Sequence, residues 1–212
     1  MSSPNEARYP EDKAHMAVML KLFKMETLSF LDGTLPFDAY DNAVGWDRIL
    51  EADGRHCVTQ FPQGHAVVSK VSQDNTLLSY VGFFGHRVLN VKSDMISHMN
   101  QVQGSLSALL CDHPDILLYG FAEVKTRDDY YNLVVLRHES AGSKWRDCAL
   151  HQQAVNNLSP KYYTSIRIHT GDLPDGLDST QFNLKRSVLL DYTAHQKDPN
   201  APIHREVKLW TQ

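Results

Sequence analysis

The chain has 212 residues, of which 42% are hydrophobic and 22% are charged, and its formal net charge is −4. This length and balance are typical of a soluble globular protein with one large domain, or with a smaller domain and an extension. No run of lysine and arginine exceeds two residues. That argues against a nucleic-acid or anionic-membrane surface, because phosphate binding needs clustered cations. No segment approaches the roughly 18 apolar residues that a membrane span requires.

The cysteines and the N-terminus both indicate a cytoplasmic protein. The three cysteines, Cys57, Cys111 and Cys148, are odd in number and far apart, with no C-x-x-C pair. A disulfide framework or zinc ribbon is therefore not expected, and reduced thiols are. The N-terminal stretch MSSPNEARYPED is polar and lacks the form of a secretory signal.

The first third of the chain predicts an extension with little regular pattern. Residues 1–12 have no apolar periodicity and are predicted to be a disordered arm. The helical spacing of apolar residues predicts a helix from Lys13 to Leu31. We expect loops around a short helix near Trp46–Leu50. Cys57–Phe61 and Ala66–Val71 flank a Pro-Gln-Gly turn signal, which predicts a β-hairpin.

From residue 76 the predicted elements follow a clearer order. Two predicted helices alternate with four predicted strands. In chain order they are strand Thr76–Phe84, helix Ser93–Cys111, strand Ile116–Val124, strand Tyr130–His138, helix Ser143–Leu158 and strand Ser187–Tyr192. The tail HREVKLW is a further candidate strand. This β-α-β-β-α-β order predicts an α+β fold, a ferredoxin-like antiparallel sheet with both helices on one face. We therefore expect residues 13–75 to be an N-terminal extension that packs on a 76–212 core domain.

The predicted sheet would leave its other face bare. Alternate apolar residues, including Leu118, Leu133 and Val135, would be exposed there, which a soluble monomer does not tolerate. The N-terminal 75 residues, a second subunit, or both must cover them. On this ground the sequence predicts a homodimer.

Two histidines project into the apolar arcs of the predicted helices. At 100° per residue, His151 lies at roughly −60° from Cys148, with Trp145 on the same side, and His98 lies at roughly −60° from Met95. A buried imidazole needs a hydrogen bond or a metal. Each is either a core histidine bonded to a backbone carbonyl or a cavity-facing base or metal ligand, with His151 the first choice.

Two further groups of residues are candidates for chemistry. His138 ends a strand just before a helix, where sites accumulate, although a solvated strand end is the alternative. If the segment PKYYTSIRIH is extended, Tyr163, Ser165, Arg167 and His169 share one face at a period of two. That would be a hydrogen-bonding wall suited to a carbonyl, carboxylate or phenol, and a surface edge strand is the alternative.

Several well-known motifs are absent. The sequence has no H-E-x-x-H, P-loop, G-x-G-x-x-G or G-x-S-x-G. This removes the usual zinc protease, nucleotide-binding and serine hydrolase interpretations at motif level. No short-range spacing of histidines supports a metal site, although distant ones could converge.

The stretch LVVLRH, followed by Trp145-Arg146 and then His151 and Ala154, resembles the dimeric α/β-barrel superfamily. That superfamily includes the antibiotic biosynthesis monooxygenases and the haem-containing aldoxime dehydratases. The resemblance implies a ferredoxin-like unit whose sheets pair across a dimer, with the substrate, and in some members haem, between sheet and helices. His151 is the position that matches the family's helix histidine. With Trp145 and His98, it would contact such a cofactor.

Three functions remain open from the sequence. The first is a small-molecule enzyme, an oxygenase, lyase or cyclase, acting on a hydrophobic and aromatic compound. Its candidate residues are His151, His138, Tyr163, Arg167 and His169. The second is a haem-binding or haem-using protein with His151 as the axial metal ligand. The third is a non-catalytic dimeric ligand-binding module whose histidines only satisfy hydrogen bonds.

Overall fold

The computed structural model describes residues 4–34, 44–50, 55–74, 76–110, 112–124 and 129–211. The helices are α1 (Pro4–Leu31), α2 (His65–Gln73), α3 (Ser93–Leu110), α4 (Ala141–Arg146), α5 (Ala149–Gln153), α6 (Ser159–Tyr162) and α7 (Thr193–Lys197). The strands are β1 (Val44–Leu50), β2 (Arg55–Gln60), β3 (Leu78–Arg87), β4 (Ile116–Val124), β5 (Asp129–Leu136), β6 (Tyr163–Leu173), β7 (Asn183–Asp191) and β8 (His204–Leu209). No helix in these ranges is both long and apolar enough to cross a membrane.

The strands form one sheet in the order β1-β2-β4-β5-β3-β6-β7-β8, and every neighbouring pair is antiparallel. The prediction of an α+β chain with an antiparallel sheet is therefore confirmed. The four central strands lie side by side as β4-β5-β3-β6, with α3 between β3 and β4 and the α4–α6 segment between β5 and β6. Two strands extend the sheet on each side. The sheet thus crosses the predicted boundary at residue 76, because β2 pairs with β4 and β1 pairs with β2.

Helix α1 covers one face of the sheet. Its apolar side chains Met16, Met19, Leu20 and Phe23 are buried against a core that includes Leu118, Leu133 and Val135. The helix approaches closely at Gly120, where a Cβ atom would lie 2.5 Å from the Met19 Sδ. The face that motivated the homodimer prediction is therefore covered within a single chain, and that motive no longer holds.

The opposite face of the sheet carries the helices α3 to α6, as the sequence predicted. Leu110, Ala141 and Trp145 pack with Val81 and Val134 at one end of this face. At the other end Met95, Ile96 and Met99 pack around Tyr162, Tyr163 and Ile166. Only Val102 and Leu110 of α3 are buried, so this helix lies on the sheet more loosely than α1 does.

The N-terminal third of the chain departs from the sequence predictions. Residues 1–12 were expected to be a disordered arm, but α1 begins at Pro4, and Tyr9 and Asp12 both contact the core. The short helix expected near Trp46–Leu50 is strand β1, which pairs with β2. The second hairpin strand expected at Ala66–Val71 is helix α2, because short apolar runs do not distinguish helix from strand.

The helix predicted from Ser143 to Leu158 is not continuous. Helix α4 ends at Arg146, Cys148 takes an extended conformation, and α5 begins at Ala149. The helix then widens into a π-turn over Ala154–Leu158 before α6. A projection at a constant 100° per residue therefore fails across this segment. Val155, which it placed in the apolar arc, is 38% exposed, whereas His151 stays on the packed side beside Trp145.

A buried polar cluster ties α1 to β2 and α2. The Glu26 carboxylate accepts a 2.6 Å hydrogen bond from the Thr59 hydroxyl and lies 3.2 Å from the His65 Nε2. The His65 ring stacks on Phe61 at 4.0 Å between centroids. All three polar groups are thereby satisfied away from water, as burial requires.

Candidate functional site

Two polar assemblies lie on opposite faces of the sheet. The first, on the α1 face, is an ion pair between Arg167 on β6 and Asp12 on α1. The Arg167 Nε and Nη2 atoms donate to the two Asp12 carboxylate oxygens, each at 2.7 Å. This is the bidentate geometry in which guanidinium and carboxylate bind most strongly. Because Asp12 is 1% exposed, the pair is a buried one.

His169, two residues along the same strand face, extends this assembly. Its Nε2 lies 2.9 Å from the Asp12 Oδ2, and its Nδ1 lies 2.8 Å from the Ser187 hydroxyl on β7. The Trp210 indole N–H donates to that same hydroxyl at 3.0 Å. A neutral imidazole with its proton on Nε2 satisfies every group, since Nδ1 then accepts from Ser187, whose oxygen accepts from Trp210.

The order Asp12–His169–Ser187 is that of a serine hydrolase triad, but it lacks access. His169 and Ser187 are both 0% exposed. A nucleophile must contact its substrate, and its base must face the reacting atom. We therefore assign this assembly a structural role, joining α1 and the C-terminal Trp210 to the sheet.

The charges in this assembly shift its pKa values. Burial alone would raise the pKa of Asp12, but hydrogen bonds from Arg167 and His169 outweigh it, and the net pKa is lowered. Burial likewise opposes the charge on Arg167, yet the hydrogen bond to Asp12 raises its pKa. Both groups are therefore ionised at neutral pH.

The second assembly is a cleft of about 510 Å³ between α3 and the other face of the sheet. Its lining combines amide, hydroxyl, carboxylate and aromatic side chains with small residues of α3, namely Gln60, Asn100, Gln103, Gly104, Ser107, Ala108, Phe121, Glu123, Tyr130 and Tyr162. The volume falls within the range of small-molecule sites. Gly104 and Ala108 of α3 are exposed at the cleft, and no atom lies within 4 Å of the position that a Gly104 Cβ would take.

Tyr130 is the polar centre of this cleft. The Gln103 Nε2 donates to its hydroxyl oxygen at 3.0 Å, and Asn132 also hydrogen-bonds it. Burial raises its pKa well above the ordinary value, and the nearby Tyr119 adds to the effect. Tyr130 in turn donates its proton to the Tyr119 hydroxyl over a long 3.4 Å hydrogen bond. Tyr130 therefore stays neutral, and two amide donors polarise its O–H bond.

Aromatic and charged groups complete the cleft. The Phe121 ring stacks with Tyr130 at 5.9 Å between centroids and 22° between planes. The Glu123 carboxylate accepts a 2.8 Å hydrogen bond from Arg87. Its charge is thus compensated by a cation from β3. The arrangement is an aromatic surface with one paired carboxylate, edged by amide and hydroxyl side chains.

The structure separates the residues of the predicted hydrogen-bonding wall. Arg167 and His169 share one face, as predicted, and converge on Asp12. Tyr163 lies on the other face beside Tyr162 and Phe83, because a bulge of β6 places Tyr163 opposite Arg87 and Ser165 opposite His86. The extra residue, Thr164, reverses the alternation.

The other predicted site residues do not meet either assembly. His151 packs its ring 5.6 Å from that of Trp145. Burial lowers the pKa of His151, and a hydrogen bond to the backbone of Arg146 acts in the opposite direction. This is the carbonyl-bonded histidine that the sequence left open as the alternative. His138 is exposed and bonds the Ser140 hydroxyl at 2.8 Å, as a solvated strand end does.

His98 was predicted to lie in the apolar arc of its helix, and it is exposed. The side of α3 that packs on the sheet includes Ile96 and Gln103. In a projection at 100° per residue, His98 lies roughly 110° away from the centre of that packed side.

The contacts of His151, a hydrogen bond to the Arg146 backbone and packing on Trp145, are those of a structural histidine rather than of a haem ligand. The neighbouring Gln152 and Gln153 are exposed, and the cleft is not lined by His151. Across the described parts of the chain, no three histidine, cysteine or acidic side chains are close enough to hold a metal ion. We therefore derive no chemistry through haem or a metal.

Sequence reasoning missed Asp12, Gln103 and Tyr130. Arg167 and His169 on one strand face signalled the need for an acidic partner, but 25 acidic residues could have supplied it. Tyr130 was assigned only as a strand residue, and nothing in its local pattern separates a cleft tyrosine from a core one.

Comparisons with known proteins add little to this description. No protein-family model matches the sequence, and no curated protein is significantly similar to it. The chain is similar in structure to protein SO0527 from Shewanella oneidensis, known from a crystal structure. The two share 10% identity with a TM-score of 0.38, and the match covers 46% of this chain and 91% of the other. A likeness at this level carries no argument about fold or function.

Proposed function

We propose that the chain binds a small aromatic molecule with an acceptor oxygen in the cleft between α3 and the sheet, and acts on it as an enzyme of the lyase or cyclase kind. The observation that carries the proposal is the Tyr130 hydroxyl. Gln103 and Asn132 both donate to its oxygen, and its own proton faces the Tyr119 hydroxyl at 3.4 Å, a long contact that a ligand oxygen at ordinary hydrogen-bond distance would replace. A neutral, polarised phenol stabilises developing charge on a carbonyl or phenolate oxygen.

The surrounding groups support the same ligand class. Phe121 and Tyr162 offer ring surfaces on which an aromatic body would stack. Glu123, held by Arg87, is a second polar group within the cleft and a candidate for the proton acceptor. The residues proposed for chemistry are thus Tyr130 and Glu123, in place of His151, His138, Arg167 and His169.

The central strands support a ferredoxin-like classification. Their order β4-β5-β3-β6, their antiparallel pairing and their connecting helices are those of a split βαβ unit. Membership of the dimeric α/β-barrel superfamily is a weaker proposal. In such barrels the second face of the sheet pairs with another subunit, whereas α1 occupies it here.

The experiment is a binding screen of small aromatic ketones and phenols, followed by protein NMR. We expect Gly104→Leu to abolish binding, because a side chain at Gly104 projects into the open space of the cleft. Ser105→Leu is the matched control, since its side chain is exposed on the same helix and should leave binding unchanged.

Tyr130→Phe then tests the hydroxyl itself. Loss of one hydrogen bond should weaken binding of a ketone by about two- to tenfold, and should leave the matching hydrocarbon unaffected. If neither Gly104→Leu nor Tyr130→Phe changed the binding affinity, the ligands would bind outside the cleft and the proposal would be refuted.

A further inference from the structure

Strand β8 forms one edge of the sheet. It is last in the strand order, and among the described residues it pairs with β7 alone. Its side chains alternate, with Glu206 and Lys208 partly buried and Arg205, Val207 and Leu209 exposed. Val207 is 43% exposed and Leu209 74% exposed. An edge strand with apolar exposed residues is a template for pairing with another strand.

The backbone direction in β8 is fixed by its last hydrogen bond to β7. The Trp210 N–H donates to the Lys185 carbonyl at 2.9 Å. In an antiparallel ladder the residues that bond a given neighbour alternate, so Lys208 and Glu206 also bond β7. The N–H and C=O groups of Arg205, Val207 and Leu209 consequently point away from the sheet.

The sequence of β8 is complementary to itself in one register. When two antiparallel copies are centred on Val207, each Glu206 lies opposite the other copy's Lys208, and each Arg205 lies opposite the other copy's Leu209. The Glu206–Lys208 pairs occupy the non-hydrogen-bonded positions, where opposite side chains are closest. The outward amides and carbonyls of both copies meet, forming about six hydrogen bonds.

Other symmetric registers are unfavourable. Centring the pair on Glu206 or on Lys208 places like charges directly opposite one another, and centring it on Arg205 opposes two arginines. Like charges at opposite positions destabilise a strand pair. The register centred on Val207 avoids these contacts and pairs the five residues from Arg205 to Leu209.

We propose that a second copy of this chain pairs with β8 across a twofold axis, in the register centred on Val207, so that two sheets join into one. This interaction surface is independent of the cleft and goes beyond the proposed function. It also differs from the dimer that the sequence suggested, since that dimer used the face covered by α1.

The first test is the mass of the protein in solution, by sedimentation velocity at high micromolar concentration. We expect a dimer for the natural chain and a monomer for Val207→Pro. Proline removes an amide that points outward, so the pairing with β7 remains and the chain still folds. Val207→Thr keeps that amide and should stay dimeric. A natural chain that is monomeric, or a Val207→Pro protein that stays dimeric, would overturn the proposal.

A charge exchange tests the register. Glu206→Lys and Lys208→Glu should each weaken dimerisation by at least about fivefold, because each opposes like charges twice in the dimer. The double variant restores both opposite-charge pairs and should recover the dimer. Lys208 also lies 4.0 Å from the Trp210 ring, so thermal melting checks that its variant is folded. If the double variant dimerised no more tightly than Glu206→Lys, this register would be excluded.

Discussion

Replacing Asp12 with asparagine tests whether the buried ion pair fastens α1 to the sheet. Removing one partner of a buried pair costs about 3–5 kcal/mol, because the other charge is left uncompensated. The Arg167 side chain is 16% exposed, so water partly compensates it, and we expect a loss near the lower end, about 3 kcal/mol. With a urea slope of about 2 kcal/mol per molar, the unfolding midpoint should fall by about 1.5 M.

The assay is urea unfolding followed by tryptophan fluorescence, with Glu11→Gln as the control. Glu11 pairs with Arg8 one turn earlier on the same helix, and both side chains are well exposed. Exposed pairs contribute about 1 kcal/mol or less, so the control midpoint should hardly move. If Asp12→Asn loses no more stability than Glu11→Gln, the ion pair does not hold the helix.

The same variant carries a pH signature. The pKa of Asp12 is lowered in the folded chain, so its contribution is complete above the unfolded value of about 3.9 and is lost as pH falls through the folded value. The natural chain should therefore lose stability on acidification below about pH 4 more steeply than Asp12→Asn. Parallel pH curves for the two proteins would contradict this linkage.

Two further predictions concern the sheet and its cover. Gly171→Ala should lower the free energy of unfolding by about 1–3 kcal/mol, measured by chemical denaturation, because the added Cβ would collide with the backbone carbonyl of Asn183 on β7. Gly142→Ala is the control, since its Cβ would make only an ordinary contact with Leu136 and should leave the free energy of unfolding unchanged. A chain beginning at residue 76 should aggregate or lose cooperative melting, because it exposes Leu118, Leu133 and Val135. A chain beginning at Lys13 lacks Asp12, so its free energy of unfolding should fall at least as far as that of Asp12→Asn. Normal melting of either shortened chain would count against these assignments.

The sequence predicted those elements whose patterns are long and unambiguous. Strands β4 and β5 and helix α3 were placed nearly to the residue, because apolar alternation, a Ser-Asp start and a proline stop all agree there. It failed where the signal is short. The Ala66–Val71 run fits a helix and a strand equally, and its packing against α1 decides the outcome.

The failures at the candidate site have a different cause, because they depend on contacts between distant segments. Asp12 lies 155 residues from Arg167 in the chain, in a region with two prolines and no apolar period. The single helix predicted from Ser143 to Leu158 is broken at Cys148, which no local pattern announced. Tyr163 was misplaced by a single extra residue in β6, which reverses the face that its side chain uses.

The two faces of the sheet differ in how tightly they are covered, and this difference locates the proposed function. On the α1 face, apolar side chains and buried ion pairs leave His169 and Ser187 with no exposure. On the α3 face, only two residues of the helix are buried, and Gly104 leaves open space beside Tyr130. A ligand needs open space and polar groups that it can reach, and of the two assemblies described here only the cleft offers both. The tightly packed face supplies the stability that allows the other face to remain open.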